Sequence, residues 1–160
     1  IALSLLAAAC ATSDEPTGAN VFDGPGSPQT VITCPECPVE DVVDVIDGDT
    51  IVGASGKVRM YGIDAPEIGA RCYSEAKATL TRLAGDQART QSGPRPTGEF
   101  GRRLAYLFDI KGNSLDVQLI AEGVARAWTR DGQHRDVLVG LEASARSNQA
   151  GCLWNGEADQ

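Results

Sequence analysis

Apolar and polar residues alternate in three short runs near the start of the foldable chain. DVVDVID (41–47), TIVGA (50–54) and KVRMYGID (57–64) read as β-strands, the last two joined by a hairpin connection at Ala54-Ser55-Gly56. The period then lengthens. YSEAKATLTRLAG (73–85) places Ala76, Leu80 and Leu83 on one helical stripe and stops at Gly85. RTQSGPRPTGEFG (89–101) is rich in Gly and Pro and reads as a long exposed loop. RRLAYLFDI (102–110) is a strand that turns at Lys111-Gly112-Asn113. SLDVQLIAEGV (114–124) is a helix capped by Ser114, with Leu115, Leu119 and Ile120 facing inward. After ARAW (125–128), RDVLVGLEASARSNQ (135–149) gives a last helix on the stripe Val137, Leu138, Leu141 and Ala145, with Gly151 as its stop. No internal repeat is visible. Five short strands and three helices suit an α+β domain around a small barrel.

Composition divides the chain. Residues 1–40 carry five acidic residues and no Lys or Arg, whereas the remainder holds 17 acidic and 14 basic residues. The net charge of −8 therefore belongs mostly to the leading segment and says little about what the folded part binds. IALSLLAAAC (1–10) reads as a truncated secretory signal, too short to span a membrane as a helix. LAAAC resembles a bacterial lipobox, which would make Cys10 a lipid anchor and the only link to a membrane. Residues 11–38 read as a flexible acidic tether containing CPEC, residues 39–155 as the folded domain, and 156–160 as a tail.

An exported chain can keep disulfides. Setting Cys10 aside, Cys34, Cys37, Cys72 and Cys152 allow three pairings. Cys34–Cys37 is taken as a local bridge and Cys72–Cys152 as the staple joining the end of the domain to its middle. Zinc is improbable at CPEC, because a second ligand pair is missing and His134 is the one histidine. His134 reads as a surface residue near a helix start, and Trp128 and Trp154 read as core.

Three stretches are unusually polar for strand ends: DGDT (47–50), R-MYGI-DAPE (59–67) and GEFGRR (98–103). Each has a bland explanation, as a turn, a helix lead-in or a solvated strand end. Together they supply carboxylates that suit a hard cation and guanidinium forks that match phosphate oxygens. VIDGDT, RMYGIDAPE, EFGRRLAYLF, AEGVARA and LEASARSNQAGCLW, in this order over residues 41–154, resemble the staphylococcal nuclease (thermonuclease) family.

That resemblance implies a five-stranded OB-fold barrel with three helices, and Ca²⁺-dependent hydrolysis of DNA and RNA to 3′-phosphates by a monomer. By the same resemblance Asp49 and Asp64 would be carboxylate ligands of Ca²⁺, Ala65 would offer its backbone carbonyl, and Asp47 would lie in the outer shell. Glu67 would position or activate the attacking water. Arg59 and Arg102 would hold the scissile phosphate, with Arg103 and Phe100 also at the substrate. Strict strand alternation would put Arg59 and Asp64 on opposite faces, so the strand must end before DAPE. Where many members have Asp-Lys-Tyr-Gly-Arg, this chain has Gly98-Glu99-Phe100-Gly101-Arg102, and few basic side chains are expected along the approach. The competing expectation is a non-catalytic nucleic-acid-binding OB-fold module at the cell surface, which loss of the Asp/Glu/Arg set would mark.

Overall fold

A computed structural model describes residues 31–156. Five strands close a barrel in the order β1–β2–β3–β6–β5. β1 (Val39–Val45), β2 (Thr50–Gly53) and β3 (Gly56–Met60) form an antiparallel meander. β3 then pairs in parallel with β6 (Arg103–Phe108), and β5 (Gln87–Thr97) closes the ring between β6 and β1. A separate two-stranded ladder joins β4 (Ile63–Asp64) to β7 (Arg126–Ala127). This is the five-stranded barrel with helices that the resemblance implies.

The helices follow their stripes. α1 (Tyr73–Ala84) buries Ala76 and Leu80 and ends at Gly85, whose positive φ of 58° suits a residue without a Cβ. α2 (Leu115–Ala121) is capped by Ser114, whose hydroxyl accepts from the Val117 N–H at 3.2 Å. Leu115, Leu119 and Ile120 are fully buried, as is Leu138 of α3 (Arg135–Ser147). These side chains cap the barrel core of Ile51, Val58, Leu107 and Phe108.

Two readings of the sequence change. The 89–101 segment is not a loop throughout: β5 runs to Thr97. It leaves the ladder between Ser92 and Thr97 and rejoins β6 at Arg103. Pro94 and Pro96, which cannot donate to a ladder, fall in that excursion. The last helix stops at Ser147 rather than at Gly151, and Gly151 instead opens a single turn, α4 (Gly151–Trp154).

Packing starts upstream of Val39. Ile32 is buried, and the Cys34 N–H donates to the Gly112 carbonyl at 2.8 Å. Cys34 is bridged to Cys37, and Cys72, at the start of α1, is bridged to Cys152 in α4. Such bonds belong to an oxidising compartment. Among the described residues no helix is long and apolar enough to cross a membrane. Residues 1–30, with Cys10 and most of the expected tether, and 157–160 lie outside the described part.

Candidate active site

Asp47-Gly48-Asp49 is a hairpin turn and also a delivery device. The Ile46 N–H donates to the Thr50 carbonyl at 2.9 Å as the chain reverses from β1 into β2. A Cβ on Gly48 would sit 2.6 Å from the Ala76 Cβ and 2.7 Å from the Ala65 Cβ, so only glycine lets the turn lie against α1 and the chain after β4. That approach drives Asp49 inward until it is only 4 % exposed. A buried carboxylate must be satisfied. Here Asp49 Oδ2 accepts from the Ala65 N–H at 3.0 Å and Oδ1 from the Thr50 hydroxyl at 2.9 Å. Asp47 stays on the outside of the turn, where its Oδ1 accepts from the Asp49 N–H at 3.1 Å. Burial, with the Asp49 charge nearby, pushes the Asp47 carboxyl above its usual range.

Arg59 lies opposite Thr50 in the β2–β3 ladder. Its guanidinium forms ion pairs with both Asp49 and Asp64, the latter at 2.7 Å. Burial works against its charge, but the two carboxylates outweigh that and hold it above the ordinary arginine range. The alternation problem disappears because β3 ends at Met60 and Asp64 belongs to the other ladder. The bend falls at Tyr61-Gly62, earlier than Pro66. Asp116 of α2, fully buried, accepts there from the Gly62 N–H at 3.0 Å and from the Leu107 N–H at 3.3 Å. A Cβ on Gly62 would meet Asp116 Oδ1 at 2.7 Å and Leu138 Cδ1 at 2.5 Å. Asp116 thus shapes the bend that turns Asp64 back toward Arg59. In the sequence it looks like an ordinary first-turn helix residue.

Arg102 precedes β6 and shares with Arg59 a groove of about 510 Å³. Its Nε is buried without a hydrogen-bond partner. Arg103, one residue on, is turned away into an ion pair with Glu40 of β1, so it is not brought to the groove. Glu67 is exposed, three residues beyond Asp64. Phe100 is 92 % exposed in the turn before Arg102, at a left-handed φ of 60°. Neither Glu67 nor Phe100 lines the groove. His134 is half-buried at the start of α3, paired with Gln91 Oε1 at 3.0 Å, and burial lowers its pKa.

The groove holds residues that the sequence reading missed. Arg95 and Arg130 line it beside Arg59 and Arg102, so four arginines face it where few basic side chains were expected. Trp128 is half-buried in the wall and not in the core. Asp131 gathers the wall. It accepts from the Tyr61 hydroxyl at 3.1 Å, from Trp128 Nε1 at 2.9 Å, and from Arg95 through Nε at 2.7 Å and Nη2 at 3.1 Å. The Arg95 hydrogen bonds, first among these, hold the Asp131 carboxyl far below the usual carboxylate range.

Asp49 and Asp64 pair with the two terminal nitrogens of one guanidinium, and carboxylate oxygens are the donor type that suits a hard cation. Among the described residues no group of three or more His, Cys, Asp or Glu is gathered as a metal cluster. Two carboxylates leave most of the six to eight ligands that Ca²⁺ takes to carbonyls, water and substrate. The donors fit a shared site rather than a closed cage.

Comparison with known proteins places the chain among relatives. Succinoglycan biosynthesis protein ExoI of Rhizobium meliloti (strain 1021) is 29% identical over 133 residues, covering 76% of this chain and 68% of that protein. An uncharacterized protein of Methanocaldococcus jannaschii is 26% identical over 147 residues, covering 71% of this chain and 70% of that protein. Residues 57–156 match the model of the staphylococcal nuclease homologue family, a span that contains Arg59, Asp64, Glu67 and Arg102, with Asp49 supplied by the hairpin just upstream. With well over half of its length matched and the barrel closed in the expected order, the chain belongs to the staphylococcal nuclease homologue family.

Proposed function

We propose that this protein is an exported, monomeric, Ca²⁺-dependent phosphodiesterase that hydrolyses DNA and RNA and leaves 3′-phosphates. One observation carries the reading: Arg59, ion-paired with Asp49 and Asp64, lines a groove together with Arg102, whose buried Nε lacks an acceptor. An unsatisfied buried donor costs about 1–3 kcal/mol, more when charged, and a phosphate oxygen removes that cost.

In this reading Asp49, Asp64 and the Ala65 carbonyl hold Ca²⁺, with Asp47 in the outer shell. Bound there, the ion would neutralise phosphodiester charge and acidify water. Arg102 donates from its open Nε–H to a phosphate oxygen. Arg59 is anchored on buried Asp49 and half-exposed Asp64, so it can keep the first contact while transferring the second to the phosphate. Two forks then face the charge that develops as water attacks phosphorus and the bond to O5′ breaks. Glu67, exposed beside this cluster in sequence, orients or deprotonates the water. The two disulfides support export, and the signal-like opening with Cys10 would add a lipid anchor. Mass spectrometry of the mature amino terminus tests that anchor, and an unmodified Cys10 contradicts it.

Digestion of single-stranded DNA and of RNA with Ca²⁺ or with excess chelator tests the reaction. Cleavage with Ca²⁺ and none in chelator supports it. Undiminished cleavage in chelator removes the metal mechanism, and binding without any cleavage in Ca²⁺ leaves the binding-module reading.

A further inference from the structure

The groove holds more guanidinium than one phosphodiester needs. Arg59 is anchored on Asp49 and Asp64, whereas Arg95 is anchored on Asp131, so separate carboxylates hold these two arginines. Arg95 and Arg130 each lie over an aromatic ring: Arg95 Cζ is 5.5 Å from the centre of Tyr61, and Arg130 Cζ is 5.0 Å from that of Trp128. Stacking and a carboxylate on one edge fix a guanidinium in place and leave its other N–H groups open. Rigid donors lose less entropy when a ligand arrives.

An isolated surface pair such as Arg95–Asp131 contributes little, about 0–1 kcal/mol. Two features set this one apart. Asp131 also accepts from Tyr61 and Trp128, so one carboxylate ties the bend after β3, the β5 arm and the chain after β7 into a single wall. The arm itself is built to lean on that wall. It carries no ladder pairing between Ser92 and Thr97, and Gly93 packs so close that a Cβ would stand 2.3 Å from the Tyr61 ring. The excursion therefore presents Arg95 to the groove instead of extending the sheet.

We propose that Arg95 and Arg130 form a second phosphate-binding position, which holds a neighbouring phosphodiester of a single-stranded polynucleotide, with Asp131 as the positioning residue. The proposal rests on the phosphodiesterase reading of the groove. It identifies the preferred substrate as a strand with at least two phosphodiesters, engaged by two arginines at each.

Binding of an oligothymidylate of about ten nucleotides, the scale of an OB-fold site, tests the proposal through the salt dependence of affinity. Trp128 fluorescence reports binding, and excess chelator keeps the strand uncut. Each phosphate neutralised on a single strand contributes about −0.7 to the slope of log affinity against log salt. Arg130→Ala should remove part of that increment and weaken binding about ten-fold. Arg95→Ala with Arg130→Ala, which empties the position, should remove about 0.7 from the slope. Arg82→Ala, on α1 and paired with Glu122, should leave it unchanged. Asp131→Asn should weaken binding without removing a full slope increment. Slopes that stay at the wild-type value in both arginine variants, or wild-type protein that does not bind at low salt, overturn the second position. Normal slopes with no cleavage in Ca²⁺ sink the phosphodiesterase reading instead, so the two failures are separable.

Discussion

Two carboxylate–guanidinium clusters each send an arginine, Arg59 or Arg95, into one groove, and they differ in burial. Around Asp49 the carboxylate is sealed in by Gly48 packing on Ala65 and Ala76, and Arg59 is largely covered. Around Asp131 the side chains of both partners stay open to water, 38 % exposed for Asp131 and 51 % for Arg95. Losing one partner of a buried pair strands a charge and is expensive, while losing one partner of an exposed pair costs little. The first cluster therefore supports the fold as well as the proposed chemistry. The second ties the groove wall together from groups that stay open to water, and loses less when one partner is removed. Asp116 completes the comparison as a fully buried carboxylate with backbone N–H partners and no guanidinium, and burial pushes it up to about 7.

The largest effect should come from the buried cluster. Asp49→Asn or Arg102→Ala should lower kcat/KM for DNA by about 10³-fold or more while the circular dichroism spectrum is retained. Asp131→Asn should cost far less in the same assay, and comparable losses would erase the distinction between the clusters.

Asp116 should contribute to the pH dependence of stability. Its carboxyl is raised in the fold, so the native state holds a proton that the unfolded chain has released above about pH 4. Its contribution is complete below about pH 4 and is lost as pH rises through about 7, by up to about 1.4 kcal/mol per pH unit. Urea titrations across this window should show that decline, and Asp116→Asn should flatten it. An unchanged pH profile in the variant would assign the decline to other groups.

Gly48→Ala should destabilise the protein by about 1–3 kcal/mol and reduce cleavage, because the added Cβ meets Ala65 and Ala76. Retention of both stability and activity would show that the turn does not need its close approach. The smallest effect belongs to the exposed pair. Arg95→Ala should change stability by at most about 1 kcal/mol, read from a denaturant midpoint.

The same contrast explains what the sequence could reveal. DGDT, DAPE and GRR are compact and polar in apolar surroundings, so they stand out, and Ser114 and the stripes of α1, α2 and α3 follow local rules. Asp131 joins Arg95, 36 residues away in the sequence, to Tyr61, 70 residues away, and only the closed barrel makes them neighbours. Gly and Pro between residues 93 and 98 concealed a strand that bulges instead of stopping. Asp116 keeps helical periodicity, and its tertiary role appears only once Gly62 is seen to lean on it. Arg103 was legible as part of GRR, but alternation along β6 gives it to Glu40.

A double-mutant cycle on Arg59 and Arg102, read as kcat/KM for single-stranded DNA in saturating Ca²⁺, tests most directly whether the two forks act on one phosphodiester. If they do, Arg59→Ala and Arg102→Ala are each severe and the double variant loses much less than the product of the two losses. Losses that multiply cleanly, or either single variant cutting at close to the wild-type rate, would contradict the account.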